Sequence, residues 1–436
     1  MKYLFSKDNF IKIFYQENKK GKPLEGRLER LHRTKRANDI VKDKKDNQAP
    51  QQEYEQALRI RRRTIEQVMS KIEKDVAETK IQIGVTPQFI KNKQVYQYES
   101  EPATSLLIDK QIQENVKKAF GIRMPSHKEI IAQIKSLFND DMKKYIYRLD
   151  IKSFFETIPH FELKAKLSRG HKLDMFSKNI IFQILDQYAT ITSSLKGIPR
   201  GIGLSSCLAE VYMQDFDRKI RSWDSVFFYA RFVDDFVVFS TSDIHKKIEE
   251  NIEECGLEIN PQKNEAFYYD GKYGVFEFLG YEFQKKKDDD IKITLSSKKM
   301  EKYQNKIKIS IDAYNKVVQQ KSLKKEAYAW KLLNQRLRFL TGNTRLVNTK
   351  SNVFTGIHYS NLFVTDNCCF SELDRLLEDM IDQRIQPHDS LSFENTKKCK
   401  QKLKEKYSFL QGFVEKEFHP FTHQQIKDIT KAWKNL

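Results

Sequence analysis

Two adjacent acids in the middle of an apolar run constrain this chain more than any other feature. Phe232-Val233-Asp234-Asp235 lies inside Tyr229–Phe239, where aromatic and β-branched residues dominate. Such a run reads as a hairpin of buried strands. Burying an ionised carboxylate costs on the order of several kcal/mol unless a metal or a partner compensates. The pair is therefore expected at a tight turn, aimed at a divalent cation. The plainer alternative is a charged turn between two core strands.

A second acid has the same setting. Tyr145-Ile146-Tyr147 precedes Arg148-Leu149-Asp150, so Asp150 should end a short apolar strand. The stretch from Asp150 to Asp234 is long enough for a helix-containing crossover that sets the two strands side by side. Two carboxylate-bearing strands together make an oxygen-rich site. Mg²⁺ favours one or two carboxylates plus phosphate oxygens and water. Two such ions about 3.5–4 Å apart clamp the attacking and leaving oxygens of an in-line displacement. The reaction class this suggests is nucleotidyl transfer.

Ordered motifs extend the pattern, and through them the chain resembles a reverse transcriptase. Asp150 matches the first catalytic aspartate of that family, and Phe232–Asp235 its aromatic-x-Asp-Asp box. Between them, Lys196-Gly-Ile-Pro-Arg-Gly-Ile-Gly-Leu-Ser-Ser-Cys-Leu-Ala-Glu210 is similar to the loop and helix that hold template and incoming nucleotide. Gly256-Leu-Glu-Ile-Asn-Pro-Gln-Lys263 is similar to the segment whose lysine assists pyrophosphate departure. Phe276-Glu-Phe-Leu-Gly-Tyr-Glu-Phe283, with Leu279 and Gly280 at its centre, is similar to the hairpin that grips the primer end.

The resemblance implies an α+β right-hand polymerase with fingers, an antiparallel palm sheet, a thumb, and helical N- and C-terminal extensions. The expected divisions are a basic helical extension over 1–80, part of the fingers over 81–145, palm over 146–295 with fingers helices inserted at 161–195, and thumb plus C-terminal extension over 296–436. It implies catalysis by Asp150, Asp234, Asp235 and Lys263. Asp150, the Ile151 carbonyl, Asp234 and Asp235 would contact two Mg²⁺ ions, with Mn²⁺ as a substitute. Phe155 would stack under the sugar and exclude a 2′-hydroxyl, favouring dNTPs. Arg200 and Gly201 would border the nucleotide. The family commonly has Pro-Gln-Gly where this chain has Pro199-Arg200-Gly201, which leaves the contact to the templating base open. Each of these has a plainer reading: Phe154 and Phe155 as core residues, Lys263 as a surface lysine.

A formal charge of +19 points to a polyanion, and nucleic acid is the expected one. The arginine run Arg59, Arg61, Arg62 and Arg63 suits phosphates, as do Lys19-Lys20 and Arg33–Arg36. Lys110, Arg123 and Lys128 are candidates for the triphosphate. No run approaches the ~20 apolar residues that span a bilayer, so no membrane partner is expected. The five cysteines, Cys207, Cys255, Cys368, Cys369 and Cys399, lack CxxC spacing, so neither zinc nor a disulfide framework is indicated and a cytoplasmic setting is expected.

Smaller expectations concern local structure. Ser205 or Ser206 should cap a helix over Leu204–Ile220, Gln82–Tyr98 should hold a hairpin, and Gly342-Asn343 and Asn348–Gly356 should be loops. The Leu-Ala-Glu210 ending and the segments Arg336–Asn343 and Gly356–Asn361 resemble prokaryotic defence-associated enzymes of the retron, unknown-group and abortive-infection kinds. That resemblance implies an RNA template, such as a dedicated non-coding RNA, with a DNA product. A second defence protein or polymerase, or an oligomer, stays open. So do template-independent or protein-primed DNA synthesis, RNA synthesis, and a non-catalytic RNA-binding scaffold.

Overall fold

The computed structural model describes residues 5–19, 51–90, 93–99, 102–123, 125–287, 289–319, 323–346, 353–385 and 393–434. The basic Arg33–Arg36 cluster, Lys20 and the expected loop at 42–50 lie outside these. Two compact units divide the chain: Met1–Pro125 with Tyr145–Phe267, and Ser126–Lys144 with Tyr268–Leu436.

The first unit opens with helices α1 (Lys7–Lys19) and α2 (Gln51–Ala77). Ala57, Ile65, Val68, Met69, Ile72 and Val76 recur at helical spacing and are the buried face of α2. Arg59, Arg62 and Arg63 fall on its exposed face, and Arg61 is partly buried. The expected hairpin forms from β1 (Val85–Ile90) and β2 (Lys93–Tyr98), antiparallel in register Val85↔Tyr98. Helix α3 (Pro102–Phe120) follows. Helix α4 (His127–Asn139) belongs to the second unit.

The catalytic motifs gather on one four-stranded sheet and the helices beside it. Strand β3 (Lys144–Asp150) leads into a short helical turn, α5 (Phe154–Thr157), then α6 (His160–Arg169), α7 (Met175–Thr192) and α8 (Gly203–Arg221). Strands β4 (Val226–Phe232) and β5 (Asp235–Ser240) form the hairpin, and α9 (His245–Glu254) and β6 (Glu265–Tyr269) complete the set. The spatial order is β4-β5-β3-β6, so β5, which starts at Asp235, sits between its hairpin partner β4 and β3, which ends at Asp150, antiparallel to both. Phe236, Val237, Val238 and Phe239 are fully buried, which requires cover on both faces of β5. Leu208, Val211 and Phe216 of α8 join Phe236 and Val238 in one apolar core.

Three expectations change here. Ser205 does not cap α8: Ile202 is the N-cap, and the Ser205 hydroxyl donates to the Pro199 carbonyl at 2.7 Å, tying the helix back to its own loop. Phe154 and Phe155 are not both core residues: they occupy a helical turn. Phe154 is buried and Phe155 partly so, because adjacent helical positions point about 100° apart.

In the second unit, β7 (Gly274–Phe278), β8 (Tyr281–Lys285) and β9 (Lys292–Leu295) form an antiparallel sheet. Helices α10 (Ser297–Val318), α11 (Leu323–Thr341), α12 (Cys368–Arg384), α13 (Phe393–Lys406), α14 (Phe409–Val414) and α15 (His423–Lys431) follow. The third change lies here: Asn343–Leu346 (β10) and Val353–Gly356 (β11) pair as an antiparallel ribbon, so Asn343 and 353–356 are strand where loops were expected, and 348–352 lie outside the described residues. The Asn343 amide explains it, donating to the carbonyls of Gly412 and Glu417 at 3.0 and 3.1 Å. Among the described residues, no helix is long and apolar enough to cross a membrane.

Candidate active site

The hairpin closes tightly: Phe232 pairs with Asp235, leaving Val233 and Asp234 as its turn. Val233 has φ +64, a left-handed backbone that a β-branched residue rarely adopts. Next door, Asp150 ends β3 directly opposite Asp235 in the register. The N–H of Ile151 donates to the Asp234 carbonyl at 3.1 Å, so the first acid's strand also grips the turn. Asp150, Ile151, Asp234 and Asp235 are thus brought together at one end of the sheet.

Asp150 is held from a third side. Asn260 donates its backbone N–H to the Asp150 carbonyl at 2.8 Å and its amide to Oδ1 at 3.0 Å. A 3₁₀ turn, Pro261–Lys263, then carries Lys263 to Asp150 Oδ2, with Nζ at 2.5 Å. Asn260 caps that turn, accepting from the Gln262 N–H at 3.2 Å. Asn260 lies within the Gly256–Lys263 motif, where the family resemblance marks only the lysine. Its Asn-Pro dipeptide is a signal for a turn start that could have drawn attention to it.

The electrostatics follow from crowding. Burial, then the neighbouring Asp150 charge, push Asp235 up to about 6, while Lys263 pulls the other way. Asp234 is raised for the same leading reason, burial, with Asp150 adding to it and a backbone hydrogen bond opposing. Burial works against the Lys263 ammonium, yet the Asp150 carboxylate outweighs it and holds that lysine above its ordinary range. Among the described residues, no three His, Cys, Asp or Glu side chains already close around a metal-sized point. Like charges at close range repel, and here an ammonium lies on Asp150. The donor set nonetheless suits a hard cation. Asp235 Oδ1 is buried with no hydrogen-bond partner, an acceptor that a cation would satisfy. Mg²⁺ draws its remaining ligands from phosphate and water rather than from a protein cage.

Beside the acids, a second cluster is assembled from α5 and the loop before α8. The Arg200 guanidinium lies 5.5 Å from the Phe155 ring centre and pairs with Glu156 at 3.2 Å. The Ile198 N–H donates to the Phe155 carbonyl at 2.7 Å, fixing that aromatic to the loop. The Tyr96 N–H of β2 donates to the Arg200 carbonyl at 2.7 Å. Gly201 has φ +110, and a Cβ there would sit 2.8 Å from the Tyr96 carbonyl oxygen. Only glycine fits that close approach of hairpin and loop. Glu156, which the sequence reading passed over, anchors Arg200.

Lys110 contacts Gln113 at 3.4 Å on α3. Leu279 and Gly280 belong to the second unit, where they form the β7–β8 turn with φ +48 and +83. Both central residues are left-handed, the arrangement of a type I′ hairpin turn. His127 Nε2 lies 2.9 Å from the Leu279 carbonyl.

The reverse transcriptase (RNA-dependent DNA polymerase) family profile matches residues 58–283, more than half of the chain. The chain belongs to the reverse transcriptase family. The enzyme class of that family is RNA-directed DNA polymerase, a nucleotidyltransferase, and the antiparallel sheet with its flanking helices agrees with its fold. No curated protein matches the sequence. Among solved structures, apo telomerase from Candida tropicalis is similar at 13% identity and TM-score 0.38, over 80% of this chain and 66% of that one. Telomerase from Candida albicans with a fragment of telomeric RNA matches at 10% identity and TM-score 0.37, over 80% and 63%. The reverse transcriptase described here therefore covers less than two thirds of these longer chains.

Proposed function

We propose that this protein copies a bound RNA into DNA from dNTPs, with two divalent ions at Asp150, Asp234 and Asp235. The observation that carries the reading is the pairing of Asp150 opposite Asp235, with Asp234 on the adjoining β4–β5 turn, inside a chain of the reverse transcriptase family. Mg²⁺, or Mn²⁺ in its place, would be held by Asp150, Asp234 and the Ile151 carbonyl, with Asp235 in support. Bound there, the ions would activate the primer 3′-hydroxyl and neutralise the leaving pyrophosphate. The chain's own groups have separate tasks. Lys263 carries a proton within reach of the reacting phosphates and can release it to pyrophosphate as a general acid. Phe155 presents a ring where a 2′-hydroxyl would lose its solvation without gaining a hydrogen bond, which favours dNTPs. Arg200 offers a fork to phosphate once it parts from Glu156.

We also assign residues 1–80 to a basic N-terminal extension, 81–145 to fingers, 146–295 to palm with inserted fingers helices at 161–195, and 296–436 to thumb and C-terminal extension. Leu279 and Gly280 are assigned to the primer end, and Arg59, Arg61, Arg62 and Arg63 to nucleic-acid phosphates. The Leu-Ala-Glu210 ending and the Arg336–Asn343 and Gly356–Asn361 segments support a role in prokaryotic antiviral defence with a dedicated non-coding RNA. Five free cysteines support a reducing cytoplasm.

Primer extension on an RNA of defined mixed sequence tests the reading. DNA complementary to that RNA is expected from the wild type with dNTPs and none from the Asp234→Ala, Asp235→Ala double variant. Activity surviving the double replacement overturns the site. Product unrelated to the RNA, or DNA joined covalently to the protein, replaces templated copying with untemplated or protein-primed synthesis.

A further inference from the structure

Arg231 precedes the acidic turn by two residues, and its side chain is only 3% exposed. Its five N–H donors are all used. Nε donates to Asp217 Oδ1 at 2.8 Å, and Nη2 to Asp217 Oδ2 and Glu210 Oε2, each at 2.8 Å. Nη1 donates to Glu210 Oε1 at 3.0 Å and, at 2.9 Å, to the carbonyl of Val233. Glu210 and Asp217 sit two turns apart on the buried face of α8, and Tyr229 Oη adds a 2.6 Å bond to Asp217.

The fifth bond distinguishes this cluster from ordinary core filling. Buried ionic clusters are weak stabilisers, and apolar side chains of similar volume often replace them without loss. An apolar side chain cannot orient a carbonyl. The Val233 carbonyl belongs to a residue in a strained left-handed conformation, and its peptide plane also carries the N–H of Asp234. Fixing that plane fixes the direction in which Asp234 leaves the turn. On the other side of Asp234, the Ile151 N–H holds the next carbonyl. Both peptides flanking Asp234 are therefore tied, the first of them by Arg231.

We propose that Arg231, forked between Glu210 and Asp217, is a positioning residue that holds the left-handed Val233 turn and so aims Asp234 at the metal. The proposal rests on the polymerase reading of the three aspartates. The test uses Arg231→Lys in the full chain. Lysine keeps a cation for the two acids but lacks the rigid fork that reaches both acids and the carbonyl together.

With circular dichroism and elution volume unchanged, dNTP addition should slow about 10–100-fold, the cost of a reacting group misplaced by about 1 Å. The midpoint for Mn²⁺, titrated by electron paramagnetic resonance without nucleotide, should rise about fivefold or more, with KM for primer–template within about twofold. Adding Val233→Gly, which accepts the left-handed backbone freely, should recover about threefold or more of both losses. Should Arg231→Lys fail to fold, Glu210→Gln is read in the same way. A folded variant with a wild-type Mn²⁺ midpoint, or losses that Val233→Gly leaves untouched, overturns the proposal. If the wild type binds Mn²⁺ yet extends no primer, the polymerase reading fails while the Mn²⁺ midpoints still judge Arg231.

Discussion

Replacing Asp235 by Asn should stabilise the metal-free protein. The free carboxyl has an ordinary value of 3.8, and burial beside Asp150 lifts it to about 6 in the folded state. A group whose folded value is raised holds its proton more tightly when folded. Its ionisation therefore opposes folding, and stability falls as pH rises from about 4 through about 6, with the full penalty present above that. A shift of about 2 pH units corresponds to at most about 3 kcal/mol at 1.36 kcal/mol per unit. Asp235 keeps some solvent access, which screens its neighbours, so about 1–2 kcal/mol is the expected gain. Asn removes the charge, and its amide oxygen can keep the place of the buried Oδ1, which has no hydrogen bond to lose. In a melt with chelator at pH 7.5, Tm should rise by about 2–4 °C for each kcal/mol gained. The advantage should fall to roughly half at pH 5 and shrink further near pH 4, as the carboxyl begins to take up its proton in the unfolded state too. Mg²⁺ should narrow the gap at pH 7.5 by stabilising the wild type more than the variant, which keeps Asp150 and Asp234 but lacks the supporting carboxylate. A variant that melts at or below the wild type in chelator, or an advantage independent of pH, refutes the reasoning.

Other expectations can be checked alongside it. Lys263→Ala should slow the chemical step about 100-fold or more in single-turnover quench flow, the scale of a lost general acid, while freeing Asp150 to bind Mn²⁺ more tightly without nucleotide. Phe155→Ala should raise rNTP use relative to dNTP about 10–100-fold in competition assays, with dNTP turnover largely kept. Gly201→Ala forces a Cβ against the Tyr96 carbonyl at a left-handed position, and a loss of about 1–3 kcal/mol should appear in urea unfolding. Replacing Arg59, Arg62 and Arg63 together by Ala should flatten the salt dependence of RNA binding by about 0.7 in log–log slope for each lost phosphate contact.

The parts of this protein legible in its sequence are those where chemistry opposes the local pattern. Acids at 150, 234 and 235 interrupt apolar runs, and that conflict marks both the hairpin and the strand beside it. The hairpin within Gln82–Tyr98 was legible from its alternating, β-branched pattern, as Val85–Tyr98 shows. What stayed hidden depends on partners distant in sequence. Asn343 reads as a loop residue until its amide meets Gly412 and Glu417, and the ribbon it begins then becomes reasonable. Ser205 had the right position for a cap, but its hydroxyl turned to Pro199 instead. Glu210 stood out only as a mark of lineage, and nothing local tells that it grips Arg231. Phe155 stood out only through the family resemblance, and the helical turn that sets its direction away from that of Phe154 was not legible.

Anomalous diffraction from crystals soaked with Mn²⁺, grown with an RNA template, a DNA primer and an unreactive dNTP analogue, tests the central claim most directly. Two peaks about 3.5–4 Å apart are predicted, bridging Asp150 and Asp234 to the nucleotide phosphates. Manganese bound elsewhere, with Lys263 still seated on Asp150 beside the nucleotide, would contradict it.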